Sequence, residues 1–93
     1  MATYFMFGKY TAEAVKDMSI ERTHQVVEEI KTLGGEVQAM HAMLGEYDLV
    51  FCVRLPDVES ALKASVRLTQ LTGISFNTAP AVSVEHFDRM MSP

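Results

Sequence analysis

The chain has 93 residues with 8 Lys and Arg against 12 Asp and Glu, a formal net charge of −4, and its length suits one domain rather than two. The basic residues Lys9, Lys16, Arg22, Lys31, Arg54, Lys63, Arg67 and Arg89 are scattered singly, so no basic stripe offers itself to nucleic acid or to an anionic membrane surface. A single cysteine, Cys52, rules out an intrachain disulfide and suits a reducing compartment.

The opening MATYFMFGKY has no basic n-region and no cleavage-site pattern, and its apolar stretch is too short to cross a bilayer. A cytoplasmic protein is expected. Hydrophobic residues make up 48% of the chain, generous for a domain whose size limits how much surface it can bury. Some of that surface is expected to lie against a partner.

Thr3 to Tyr10 is the first expected strand. Phe5 and Phe7 occupy one face, and Tyr4, Met6 and Tyr10 the other. A strand apolar on both faces belongs in the middle of a sheet covered on both sides. Thr11 can cap a helix starting at Ala12, with Val15 and Met18 expected to point inward. Ser19 is a second cap, and a break there separates this short helix from a main helix over Ile20 to Leu33. Val26, Val27, Ile30 and Leu33 form the core stripe of the main helix. Gly34-Gly35 supplies its left-handed stop.

The second strand is expected over Glu36 to Leu44 and the third over Tyr47 to Leu55. Gly45-Glu46 between them suits a two-residue type II′ turn. That register opposes Met43 to Asp48, His41 to Val50, Ala39 to Cys52 and Val37 to Arg54. It collects Met40, Ala42, Leu44, Leu49, Phe51 and Val53 on the helix-facing side. Asp57 caps the next helix, whose expected stripe is Val58, Ala61, Leu62, Ser65, Leu68 and Leu71 or Thr72, and Gly73 stops it. A fourth strand runs from Ile74 to Ala81, where Pro80 requires an edge position or a strand end. Ser83 caps a short terminal helix over Val84 to Met91.

The order βαββαβ with right-handed crossovers gives a four-stranded antiparallel sheet with two helices on one face. The other face then carries Val37, Ala39, Met43, Val50 and Cys52, too apolar to leave in water. A homodimer or higher homo-oligomer, sheet packed on sheet, is expected to cover it.

The run LGEYDLVFCV after LGGEVQAMHAM resembles the GYD-domain family, named for a Gly-x-Tyr-Asp motif at this hairpin. MATYFMFGKYTAEAVKDM is similar to that family's opening strand and short helix. The resemblance covers nearly the whole chain, residues 1–93 as one domain, and implies a ferredoxin-like α+β fold of the dimeric α+β barrel type. It carries no biochemical activity. On the matching positions Gly45 makes the turn, while Tyr47 and Asp48 begin the third strand.

The histidines His24, His41 and His86 lack metal-pair spacing and Cys52 has no CxxC mate, so no metal is expected. No Gly-rich phosphate loop, GxSxG or HExxH pattern occurs, and no cofactor is expected. The candidate ligand-binding residues are Lys9, Tyr10, Arg22, His41, Tyr47 and Asp48. Lys9 and Tyr10 end the first strand, beside Tyr47 and Asp48 at the hairpin. Arg22 sits at the helix break, where a helix start favours anions. His41 has Asp48 one pair away, and a carboxylate near an imidazole favours its charged form. Tyr47 and Asp48 can equally do no more than brace the hairpin. Two functions fit. One is an oligomeric module that binds a small ligand or a protein partner. The other is a cofactor-independent enzyme, an isomerase or monooxygenase type, using His41, Tyr47, Asp48 and Arg22 in an apolar pocket.

Overall fold

A computed structural model describes residues Met1 to Pro93. Four strands, β1 (Ala2–Lys9), β2 (Glu36–Ala42), β3 (Leu49–Leu55) and β4 (Ser75–Ala81), form one antiparallel sheet in the order β2-β3-β1-β4. The strand apolar on both faces, β1, lies inside the sheet between β3 and β4. The proline strand, β4, lies at an edge, the position in a sheet where a residue without an N–H is tolerated.

The helices are α1 (Ala12–Lys16), α2 (Ile20–Thr32), α3 (Val58–Thr72) and α4 (Val84–Met91). Each starts where a short polar side chain accepts a backbone N–H. Thr11, Ser19 and Ser83 bond the amides of Ala14, Arg22 and His86, each at 3.0 Å, and Asp57 bonds that of Ser60 at 2.8 Å. The same Ser60 amide bond holds the Asp57 carboxyl below the usual aspartate value. Gly34 and Gly73, with φ of 83° and 75°, end α2 and α3 in the left-handed region.

α2 packs over β2, α3 over β3 and β4, and the two helices touch each other. Arg67 and Glu29 bridge them at 3.2 Å. Between helices and sheet lies one core of Tyr4, Met6, Val26, Ile30, Phe51, Val53, Leu55, Ala61, Ala64 and Leu68.

The structure departs from sequence expectation in four places. In β2, Ala39 faces Cys52 and His41 faces Val50 as expected, but a bulge at Gln38 shifts the strand beyond it. Val37 therefore faces Val53 rather than Arg54 and packs against the core instead of the bare face. The β2–β3 connection spans residues 43–48 and is no two-residue turn. Met43 N–H still donates to the Asp48 carbonyl at 2.7 Å, but Gly45 has no positive φ and Leu44 is fully exposed. In α1, a helix of one turn, Ala14 turns inward while Val15 and Met18 are exposed. On α3 the buried stripe is Ala61, Ala64, Leu68 and Thr72, which leaves Val58 and Leu62 out. The small side chains let the helix sit close to the sheet.

Gly35 and Gly45 separate a required glycine from a permissive one. A Cβ on Gly35 would strike the Arg54 carbonyl oxygen and, at 2.6 Å, the Leu55 side chain. One on Gly45 would meet nothing within 4 Å. Denaturant unfolding should find Gly35→Ala less stable by about 1–3 kcal/mol and Gly45→Ala within about 0.5 kcal/mol of wild type.

Candidate functional site

The sheet has one covered face and one open face. Strand alternation places Phe5, Phe7, Ala39, Val50, Cys52 and Ala79 on the open side, with Arg54 and Asn77 beside them. Phe5 and Phe7 stack with centroids 6.4 Å apart. The Cys52 thiol lies 3.6 Å from the Gln38 side-chain oxygen, which accepts from it. No helix covers this face.

The hairpin loop ties into the end of β1. The Asp48 carboxylate accepts the Tyr10 N–H at 2.8 Å, and the Asp48 N–H donates to the Gly8 carbonyl at 2.9 Å. Lys9 donates to the Glu46 carbonyl at 2.7 Å. Tyr47 leaves the ladder and lies over Phe7, ring centroids 5.2 Å apart, and its hydroxyl accepts from the Asn77 amide at 3.0 Å. That excursion explains why the connection is longer than a tight turn.

On the helix side, a cavity of about 180 Å³ opens at the break between α1 and α2. Its wall includes Tyr10, Met18, Ser19, Arg22, Thr23 and Val26 from the first half of the chain. Met40, His41, Ala42, Leu49, Phe51, Thr72 and Ile74 complete it. Arg22 Nη1 donates to the Ala14 carbonyl at 2.6 Å. The ion pairs of the structure are Lys31–Glu28, Arg67–Glu29 and Arg89–Glu85, so Arg22 has no carboxylate. The guanidinium keeps further N–H donors beyond that one bond. The Thr72 hydroxyl is already satisfied, donating to the Leu68 carbonyl at 2.7 Å and accepting the Ile74 N–H at 3.0 Å.

Of the six residues singled out in the sequence, the structure brings Tyr10, Arg22 and His41 into this wall. His41 faces Val50 in the ladder, which by strand alternation sets its side chain on the open face with Val50, and the residue also borders the cavity. Lys9, Tyr47 and Asp48 lie outside the wall. Asp48 acts on the cavity indirectly, by holding the backbone of Tyr10. His41, Tyr47, Asp48 and Arg22 therefore do not converge within one chain. Met18, Phe51, Thr72 and Ile74 were not legible as wall residues. The Ser19 break was the one local signal that pointed there. No group of three or more His, Cys, Asp and Glu side chains is placed to hold a metal ion. No helix is long and apolar enough to cross a membrane.

This geometry defines a small α+β module with a one-sided ferredoxin-like sheet. The chain belongs to the GYD domain family, whose profile matches residues 4–91. No curated protein gives a significant sequence match. Among solved structures, TTHA0845 from Thermus thermophilus is similar at 27% identity and a TM-score of 0.58, over 89% of this chain and 95% of that one. The leucine response regulatory protein of Mycobacterium tuberculosis is similar in fold at 11% identity and a TM-score of 0.59, over 88% of this chain and 51% of that one. An AsnC family transcriptional regulator from Agrobacterium tumefaciens gives 22% identity and a TM-score of 0.59, over 88% and 50%. The chain thus spans about half the length of the two regulators.

The bonds around Asp48 make a testable statement about the motif. Asp48→Ala leaves the part-buried Tyr10 N–H without its acceptor and should cost about 1–3 kcal/mol in urea unfolding. Faster hydrogen exchange at the Tyr10 amide should accompany it. Asp48→Asn retains an acceptor oxygen and should lose less. Full stability in Asp48→Ala would mean that the brace contributes nothing.

Proposed function

We propose that the protein is a small-molecule-binding module that works as a homo-oligomer, and that its ligand is a small organic anion with an apolar body. Arg22 carries this reading. It stands in the cavity wall, held by its bond to the Ala14 carbonyl and free of any carboxylate. A cation in the first turn of α2 opposes the helix dipole, and an anion seated between them is attracted by both. A guanidinium fork matches a carboxylate in two parallel bonds. The rest of the wall is largely apolar, through Met18, Val26, Met40, Leu49, Phe51 and Ile74. At about 180 Å³ the space equals that of roughly six waters in the liquid, enough for a ligand of on the order of six to ten non-hydrogen atoms.

Self-assembly follows from the open face. Only 14 of 93 residues are buried in the single chain, a small core for so apolar a sequence. Phe5, Phe7, Val50 and Cys52 stay part-exposed where sheet-on-sheet packing would cover them. The regulators on the same fold, one of them named for a leucine response, support small-molecule binding by analogy of architecture alone.

Two experiments test the two halves. Amide shifts in an NMR titration with short aliphatic and aromatic carboxylates should cluster around Tyr10, Ser19, Arg22 and Thr23. Arg22→Met should weaken the best binder about tenfold to a hundredfold, the worth of a charged hydrogen bond, while the fold is kept. Shifts clustering elsewhere, or equal affinity in Arg22→Met, would refute the site. Sedimentation at micromolar concentration should find a dimer or larger species. Val50→Asp should dissociate it, because a carboxylate would be buried without a partner. A monodisperse wild-type monomer would end the assembly half alone.

A further inference from the structure

The terminal helix has no place in the core. α4 carries Val84, Phe87, Met90 and Met91 along one side, each 50 to 74% exposed, and buries no residue at all. A helix of eight residues does not hold in water by its own hydrogen bonds; it needs a surface to pack on. The backbone of its N-cap, Ser83, is extended, with φ −65° and ψ 151°. The radius of gyration is 14.0 Å, with a long axis of 51 Å, where a compact chain of this length has about 12 Å.

The same chain has an unfilled, mostly apolar groove. It runs between α3 and the edge strand β4, holds about 390 Å³, and is lined by Tyr4, Val58, Ala61, Leu62, Phe76 and Pro80, with Ser65, Asn77 and Thr78 as its polar part, the Ser65 and Thr78 hydroxyls bonded to each other at 2.6 Å. Val58 and Leu62, which the sequence assigned to the core stripe, are more than 60% exposed and line this groove.

We propose that α4 of one copy docks in the α3–β4 groove of a second copy, in reciprocal exchange. An identical chain necessarily presents the matching groove, and exchange of one element between protomers is a low-cost route to a closed dimer. Two insertions, each covering a helix face and its groove, remove on the order of 1,200–1,600 Å² from water, the size of a standard specific interface. A membrane is the poorer occupant. The polar side of α4 holds Glu85, His86, Asp88 and Arg89, with Glu85 and Arg89 paired at 2.8 Å, whereas helices that lie on membranes are rich in Lys and Arg. This exchange uses a different surface from the open sheet face and stands without it.

The test is disulfide trapping in the full-length chain with Cys52→Ser, so that only introduced thiols react. Leu62→Cys and Phe87→Cys are combined in one chain, with Val58→Cys and Met91→Cys as a second pair against poor thiol geometry in the first. Mild oxidation should give a covalent dimer with at least one pair. Leu62→Cys and Phe87→Cys chains co-expressed as separate single variants should cross-link to each other far more than either does alone. An intrachain disulfide with no covalent dimer would place α4 in its own groove and overturn the exchange. No disulfide from either pair would mean that another protein or a membrane covers α4, and would overturn it equally.

Discussion

The sheet has two apolar faces and the chain supplies helices for one of them. α2 and α3 bury Tyr4, Met6, Phe51 and Val53, and on the other side Phe5, Phe7, Val50 and Cys52 have no cover. Burying both faces of the sheet needs a second covering layer, and of the elements in this structure only α4 is not already engaged with the core. The marginal stability of a short domain makes that exposed surface costly. The small core, the elongated outline and the amphipathic tail all follow from the same shortage of covering elements.

The hairpin loop joins the two sides of the sheet. Tyr47 lies over Phe7 on the open face. One residue on, the Asp48 carboxylate holds Tyr10, which walls the cavity on the helix side. The two polar residues that give the family its name thus face different parts of the molecule, and neither enters the cavity. Their common effect is to fix the end of β1, from which α1 departs and beyond which Arg22 is brought back to the Ala14 carbonyl. Within this chain the motif braces the end of β1 beside the cavity and does not line it.

Ser19 and Arg22 illustrate how a local signal can point to a cavity without describing it. The polar interruption of the helical stripe marked the break, and the break opens the cavity. The opposite wall comes from β2, β3 and the end of α3, distant in sequence, and nothing local marked Thr72 or Ile74 as belonging with Arg22. The hairpin misled for a related reason. Gly45-Glu46 looks like a tight turn by residue type, but the pull of Phe7 and Asn77 on Tyr47 widens the loop.

The elements and the helix ends were set by the sequence, because caps, glycine stops and side-chain period are local properties of the chain. Thr11, Ser19, Asp57 and Ser83 each begin a helix where their side chains can bond a nearby N–H, and Gly34 and Gly73 each end one where φ must be positive. The strand order and the one-sided placement of α2 and α3 followed from right-handed crossovers. Tertiary structure decided what depends on atoms brought together across the sheet. A bulge at Gln38 moved Val37 into the core, because the side-chain period of two turns one extra residue into a change of face. The small residues Ala61, Ala64 and Thr72 took the buried stripe of α3 and left Val58 and Leu62 to line a groove, because close packing rewards the side chains that fit the gap rather than those that are most apolar.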